Sequence, residues 1–410
     1  MTLSLADVSA AEALLRGQVV RTPTVFASAL SAELGIELWL KLETLQHAGS
    51  FKCRGAYVKL KSLAAAEARA GVIAMSAGNH AQGVAFFAGK LGIPATIVMP
   101  LATPFSKIER TRAFGARVEL VGDSLSEAQS HAERLAAAHG LTFVHPYDDP
   151  KVMAGQGTIA IEMLADMPGL DALLVPIGGG GLISGIAVAA KALKPEIEVV
   201  GVQSELYPSM RQALAGEAIR CGGDTIAEGI AVKLPGKLTC EIVRRLVSDI
   251  LLVDEQALEH AVQMLAERQK LVVEGAGAAG IAALALHGAR FRGRRVGVVL
   301  CGGNVDARLL ASVLMRGLVA DGRLARLRVE ISDAPGRLAA VALLIAEAGG
   351  NIVEIYHQRL FQDVPVKLAE LDVVVETRNA EHVRDIAARL AAAGHTPRLL
   401  GTTKGAGEVL

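Results

Sequence analysis

Up to about residue 310 the chain alternates short β-rich runs with alanine-rich helical stretches, and that alternation admits few folds. A helix between two strands carries the chain back across the sheet, so neighbouring strands run parallel and are covered on both faces. Val72-Ile73-Ala74-Met75 reads as such a buried strand, followed by a loop and a helix over about 81–91. Runs at 95–99, 117–121 and 142–144 continue the series, making one βα unit of roughly 100 residues, a usual domain size. A second unit takes 172–177, 198–202 and 296–300 as strands. The expected class is therefore α/β. A small subdomain at about 42–149 is inserted into a large one at about 1–41 and 150–322. Beyond Gly322 the order becomes strand, helix, two strands, helix, strand, a separate βαββαβ module over about 325–402.

A length of 410 residues calls for two or three domains, and 51% hydrophobic content suffices for their cores. With only 3% aromatic residues those cores are built from Ala, Leu, Val and Ile. Lys+Arg and Asp+Glu are equal at 42 each, and no basic run stands out, so nucleic acid is not an expected partner. Cys53, Cys221, Cys240 and Cys301 show neither metal spacing nor a disulfide framework. The N-terminal stretch mixes charged and apolar residues, unlike a secretory signal, and no run of about 18 apolar residues offers a membrane span. A cytoplasmic, soluble protein without membrane attachment is the expectation.

Four short motifs carry chemistry. In Gly49-Ser50-Phe51-Lys52-Cys53-Arg54-Gly55-Ala56, Lys52 follows a strand-like run at 38–42 and sits among small residues. Held partly out of water, its amine becomes a nucleophile of the kind that forms a Schiff base with pyridoxal phosphate; otherwise it is a solvated surface charge. Gly178-Gly179-Gly180-Gly181 follows a strand and opens a helix near Leu182. Such a run leaves main-chain N–H groups free for a phosphate, although a flexible turn has the same composition. In Ser76-Ala77-Gly78-Asn79-His80, Ser76 or Asn79 either caps the next helix or offers donors to a carboxylate and a ring oxygen. Cys301-Gly302-Gly303-Asn304 ends a strand, where ligands bind in α/β sheets, though a cysteine is most often a small buried hydrophobe. Gly275-Ala276-Gly277-Ala278-Ala279-Gly280 matches a dinucleotide fingerprint in letters only. No Asp or Glu lies within 281–305 to take a ribose hydroxyl, so close helix packing is the better reading.

In that order, Gly-Ser-Phe-Lys, Ser-Ala-Gly-Asn-His, four glycines and Cys-Gly-Gly-Asn resemble the threonine dehydratase and serine racemase group of fold type II pyridoxal-phosphate enzymes. The resemblance covers about residues 15–315. It implies a two-domain core like the tryptophan synthase β chain, with pyridoxal 5′-phosphate as cofactor. It implies that Lys52 is the Schiff-base lysine and that Phe51 flanks the ring. Asn79 bonds the 3′-oxygen, while Gly178, Gly179, Gly180, Gly181 and Leu182 cradle the phosphate. Cys301 faces the pyridine nitrogen, and Ser76, Asn79 and His80 lie near the substrate carboxylate. Racemases of this group carry a second serine where this chain has Ala77, and a metal-binding acidic pair around the position of Glu205. Here the residue six further on is Arg211, so no metal site is expected.

The tail, with Asp333-Ala334-Pro335-Gly336-Arg337 and Gly349-Gly350-Asn351-Ile352, resembles an ACT domain, a ferredoxin-like βαββαβ module that senses amino acids. The two resemblances together imply a threonine ammonia-lyase. It would take L-threonine to 2-oxobutanoate and ammonia, and also act on L-serine. A small amino acid, isoleucine foremost, would regulate it at the ACT domain of a homo-oligomer (dimer or tetramer). Serine racemase or hydroxyaspartate ammonia-lyase is the rival of the same chemistry. An NAD(P)-dependent oxidoreductase using 275–280, or a non-catalytic amino-acid-binding protein, is the rival of another class. The role of Glu274 stays open.

Overall fold

The computed structural model of the protein describes residues 3–358, 365–401 and 408–409. The chain forms two compact units, 1–306 and 307–410. The sequence puts the division near 322; the difference is helix Ala307–Ala320, which groups with the C-terminal unit.

In chain order the strands of the first unit are β1 (Thr24–Phe26), β2 (Glu37–Leu42), β3 (Val72–Met75), β4 (Ala95–Met99), β5 (Arg117–Leu120), β6 (Thr142–Phe143), β7 (Ala172–Pro176), β8 (Glu198–Ser204), β9 (Asp249–Val253) and β10 (Arg295–Leu300). They form two sheets. The larger runs β1-β2-β10-β7-β8-β9 and is parallel except for β1, which lies antiparallel on the edge beside β2. The smaller runs β5-β4-β3-β6 and is parallel throughout. All five residues of β7 are buried, as befits a central strand covered on both faces. Parallel strands share one carboxyl end, and Ser76, Gly178 and Cys301 each come just after a strand ends there.

Helix Lys52–Lys61 packs against helix Asn79–Leu91 and helix Pro150–Asp166. Gly55 and Gly155 meet at the second crossing, where a Cβ on Gly155 would lie 2.7 Å from the Gly55 Cα. The helix starting at Pro150 is well punctuated. Proline occupies its first turn, and the Asp149 carboxylate accepts from the N–H of Lys151 at 2.7 Å. Between these helices lies a buried charge cluster. Arg54 donates two hydrogen bonds to Glu43 (2.9 and 2.7 Å), two to Glu162 (2.6 and 2.9 Å) and one to Thr158 (3.1 Å). Lys41 donates to Glu162 and to the Thr22 carbonyl, each at 2.6 Å. Burial would raise the Glu43 pKa, but the Arg54 guanidinium outweighs it and holds the carboxyl below its ordinary value.

The dinucleotide-like hexapeptide begins helix Gly275–His287, and residues 271–274 form no strand ahead of it. A Cβ on Gly277 would come 2.7 Å from the Gly302 carbonyl, and one on Gly280 2.5 Å from Val298 of β10. These glycines bring the helix against the sheet. The nearby arginines have carboxylate partners: Arg290 with Glu198 and Asp249, Arg294 with Glu198, Arg295 with Asp171.

The second unit contains β11 (Leu324–Ser332), helix Arg337–Glu347, β12 (Asn351–Gln358), β13 (Leu368–Glu376), helix Ala380–Ala392 and β14 (Pro397–Leu400), with β15 (Glu408–Val409) beyond. This is the βαββαβ order, folded as an antiparallel sheet β12-β13-β11-β14-β15. Alternate residues of β11 (Ala325, Leu327, Val329, Ile331) are buried in a core shared with Val341, Ile345 and Ile386. Of the module expected at 325–402, residues 359–364 and 402 lie outside the described residues. Among the described residues no helix is long and apolar enough to cross a membrane.

Candidate active site

The four motifs meet in the first unit. The Phe51 N–H donates to the Cys301 carbonyl at 3.1 Å, and Ser50 forms an isolated β-bridge with Gly302. The Glu274 N–H donates to the Gly302 carbonyl at 3.1 Å, and the Gly303 N–H to the Gly49 carbonyl at 3.0 Å. Segments 49–52, 274 and 301–304 are thus joined through their main chains, which fixes Lys52 relative to the end of β10.

Lys52 starts its helix and turns its amine toward the end of β6, where Nζ donates to the Pro146 carbonyl at 2.8 Å. Burial draws the Lys52 pKa down to about 8, with the Glu274 charge pulling the other way. The amine is therefore a far better nucleophile near neutral pH than a surface lysine. The Phe51 ring lies beside it, 5.2 Å from Nζ to the ring centre. The turn that presents Pro146 is built by His145, whose Nδ1 accepts from the N–H groups of Tyr147 (3.2 Å) and Asp148 (2.8 Å). Tyr147 then packs on the glycine run; a Cβ on Gly179 would run into its ring and one on Gly181 into its main chain.

That packing links the amine to the cradle. Gly180 has φ +98°, a left-handed conformation that other residues rarely adopt, and it precedes helix Gly181–Leu193. The Gly179 carbonyl is tied back by the Thr239 hydroxyl (2.7 Å) and the Gly236 N–H (3.2 Å). The first N–H groups of the helix have no partner within it, and the buried Ser184 hydroxyl near its start is also unpartnered. This is a seat for an anion.

Asn79 begins the helix after β3. Its Nδ2 donates to Glu274 Oε1 at 2.8 Å, and its Oδ1 accepts from Asn304 Nδ2 at 2.8 Å. The Ser76 hydroxyl accepts from the Gly78 N–H at 3.1 Å and keeps its own proton to offer. His80 is placed differently from its neighbours. Its ring is buried and its Nε2 meets the Val144 carbonyl at 2.8 Å, while burial, helped by the Lys52 charge, drives its pKa to about 3. A neutral ring bound to the main chain has nothing to give a carboxylate, which leaves the first-turn N–H of His80 as its remaining donor. Cys301 is buried and its thiol pKa is raised well above the ordinary value, first by burial and then by the Glu274 charge. It stays a protonated thiol.

Sequence reasoning passed over several residues that shape this site. The loop from His145 to Asp148 could have been noticed as a polar, proline-bounded turn at the carboxyl end of a strand. Asn304 stood in a quoted motif without a role, and Glu274 was left open between a place near the cofactor ring and the start of a packing loop. Lys107, on helix Phe105–Ala113, pairs with Glu228 and so joins the small subdomain to the large one beside Glu274. Nothing in the letters pairs those two. Among the described residues no group of three or more His, Cys, Asp or Glu side chains could hold a metal ion.

Glu274 has its pKa raised to about 7, mainly by burial, against the Asn79 hydrogen bond. An unfolded glutamate titrates near 4.3, so between about 4.3 and 7 the native state holds a proton that the unfolded chain has lost. Stability contributed by this group falls as pH rises through that window. In cofactor-free protein, Glu274→Gln is expected to remove that fall, as denaturant titrations at about pH 5 and about pH 7.5 will show.

The cleft thus offers an amine for an aldehyde, a cradle for a phosphate, an amide and a thiol for a polar ring, and a flanking aromatic face. These donors fit pyridoxal phosphate. The family model of pyridoxal-phosphate dependent enzymes matches residues 15–302, and the chain belongs to that family. An L-threonine ammonia-lyase from Thermotoga maritima is 44% identical over 401 residues, 97% of this chain and 100% of that protein. Maize serine racemase has a similar structure, with a TM-score of 0.73 at 34% identity, covering 78% of this chain and 99% of that one. The processed form of threonine deaminase isoform 2 from Solanum lycopersicum gives 0.71 at 35% identity, over 76% and 86%.

Proposed function

We propose that this chain is a pyridoxal-phosphate dependent L-threonine ammonia-lyase that forms 2-oxobutanoate and ammonia, and that also converts L-serine to pyruvate. The observation that carries this reading is the Lys52 amine, drawn out of water beside a glycine cradle and facing no second base at Ala77. When bound, pyridoxal phosphate supplies a sink for the electrons left at the substrate α-carbon. Lys52 would hold the cofactor, and the same amine would serve as the base for the substrate α-proton. Asn79 would donate to the ring oxygen, Phe51 would cover the ring, and Gly178, Gly179, Gly180, Gly181 and Leu182 would hold the phosphate. Cys301 would give the ring nitrogen a neutral thiol rather than a carboxylate, a partner suited to elimination more than to transamination. Ser76 and the first N–H groups of the following helix take the substrate carboxylate. The water lost at the β-carbon returns when the enamine product hydrolyses, so the net loss from threonine is ammonia.

Serine racemase is the second reading, favoured by the likeness to the maize enzyme. Racemisation needs a proton carrier on each ring face, and Ala77 has none to contribute. Assays with L-threonine and L-serine separate the two. Oxo acid and ammonia from both substrates are expected, with a preference between them of about 10–200-fold at most, the range that one methyl group allows. D-Serine in excess of pyruvate, or no oxo acid from threonine, overturns the proposal.

The C-terminal unit reads as an ACT-type sensor whose turn at 333–337 and helix start bind a small amino acid. Isoleucine is the natural effector of an enzyme at the first step of isoleucine synthesis. A coupling of about 1–3 kcal/mol would shift activity several-fold. Turnover of the full-length protein that responds to neither isoleucine nor valine removes this part of the reading.

A further inference from the structure

We infer that Asn304, together with Glu274, sets the direction of the Asn79 amide and so makes Asn79 a donor toward the cofactor ring. The inference rests on the reading above that Asn79 meets a ring oxygen. Taken alone, the Asn79 amide is ambiguous, because its oxygen and nitrogen ends are nearly equal in size and exchange by a half-turn. Asn304 removes the ambiguity. Its Nδ2 donates to the main-chain carbonyl of Ala48 at 2.7 Å, and a carbonyl can only accept. That contact fixes which end of Asn304 is the nitrogen. Its second proton goes to Asn79 Oδ1 at 2.8 Å, so the oxygen of Asn79 must face Asn304. The Asn79 NH2 is thereby turned to the other side, where Glu274 Oε1 accepts one proton at 2.8 Å. One N–H of Asn79 is left over, and it is a donor by construction.

The same network accounts for letters that the phosphate and the ring do not require. A Cβ on Gly302 would lie 2.5 Å from Glu274 Oε1 and 3.2 Å from Asn79 Nδ2, inside the hydrogen bond itself. A Cβ on Gly49 would lie 2.5 Å from Asn304 Oδ1, and Gly49 has φ +70°. Three of the four motifs are thus locked by one asparagine: Ala48 precedes the first, Asn79 lies in the second, and Asn304 ends the last. Glu274, its pKa raised to about 7, retains an acceptor oxygen whether or not it is protonated.

The test uses holoenzyme with four variants: Asn79→Ala, Asn304→Ala, the double Asn79→Ala/Asn304→Ala, and Glu274→Gln. The readouts are the visible absorption maximum of the Lys52-bound cofactor, the cofactor dissociation constant, and kcat and KM for threonine. Asn79→Ala is expected to move the absorption band and to weaken cofactor binding roughly tenfold, the scale of one lost buried hydrogen bond. Asn304→Ala should reproduce much of that change although it touches no cofactor, and should add less than about twofold in the Asn79→Ala background, as coupled residues do. Glu274→Gln, which keeps an acceptor oxygen, should leave the band near its parent position. Single effects that multiply in the double variant overturn the inference, as does an Asn304→Ala band identical to the parent's. A band unmoved in Asn79→Ala, with borohydride still fixing the cofactor to Lys52, overturns the Asn79 reading and the inference with it. If Asn304→Ala fails to fold, Asn304→Asp takes its place. It keeps the size but cannot donate to either oxygen, and it should give the same shift.

Discussion

Replacement of Lys52 by alanine is expected to cut threonine turnover by at least about 10³-fold and to remove the visible absorption of the bound cofactor. A positioned general base alone contributes roughly 10²–10⁴-fold, and in the proposed function the same amine would also anchor the cofactor. Three of the residues around it offer no substitute. His80 is bound to the Val144 carbonyl and kept neutral, Cys301 is a protonated thiol, and Ala77 has no proton to exchange. Oxo-acid formation, the absorption spectrum, and the mass of the borohydride-treated protein check this together. Parent protein should carry the reduced cofactor on Lys52, and the variant should carry none. Turnover in the variant within tenfold of the parent would sink the assignment of Lys52.

Arg54→Leu should produce the largest loss of stability, about 3–5 kcal/mol, because it leaves the Glu43 and Glu162 carboxylates buried without their main partner. With Arg54 and Lys41 against Glu43 and Glu162 the cluster is formally neutral, and each carboxylate has at least two donors. Arg54→Lys should lose less, yet still measurably, since an ammonium cannot make the planar, two-pronged contacts to both carboxylates. The midpoint of denaturant unfolding at unchanged slope gives the number. A loss under about 1 kcal/mol would mean that water enters and screens the cluster. Arg54 sits two residues after Lys52 on the same helix, so the destabilised variant should also bind cofactor more weakly.

Much of the site was legible because its chemistry lies in contiguous letters at strand ends. The parallel sheets and the βαββαβ tail were legible for a related reason: helix-strand alternation constrains topology strongly. What escaped the sequence is what depends on partners far along the chain. Arg54 was visible in the Lys52 octapeptide, but its partner Glu162 lies 108 residues away on another helix. Glu274 stayed open, near the cofactor ring or at the start of a packing loop, until the structure put it against Asn79. The ring of His80 could not be told from a ligand by its neighbours, because the group that satisfies it is a main-chain carbonyl. The end of the first unit was read sixteen residues beyond where the compact units divide, since a helix carries no mark of the side on which it packs.

The pairing of β2 with β10 also bears on how the enzyme comes into being. The strand leading to Lys52 is made early, but its parallel neighbour leaves the ribosome about 250 residues later; at about 5–20 residues per second the wait is roughly 13–50 s. During that interval the small sheet, whose strands all lie between residues 72 and 143, can already assemble from local contacts. The cleft cannot, because Cys301 and Asn304 are still to come. On the proposed reading the cofactor site is therefore completed late in biosynthesis, and in a nascent chain stalled before residue 304 Lys52 would lack the burial that lowers its pKa and would behave as an ordinary lysine.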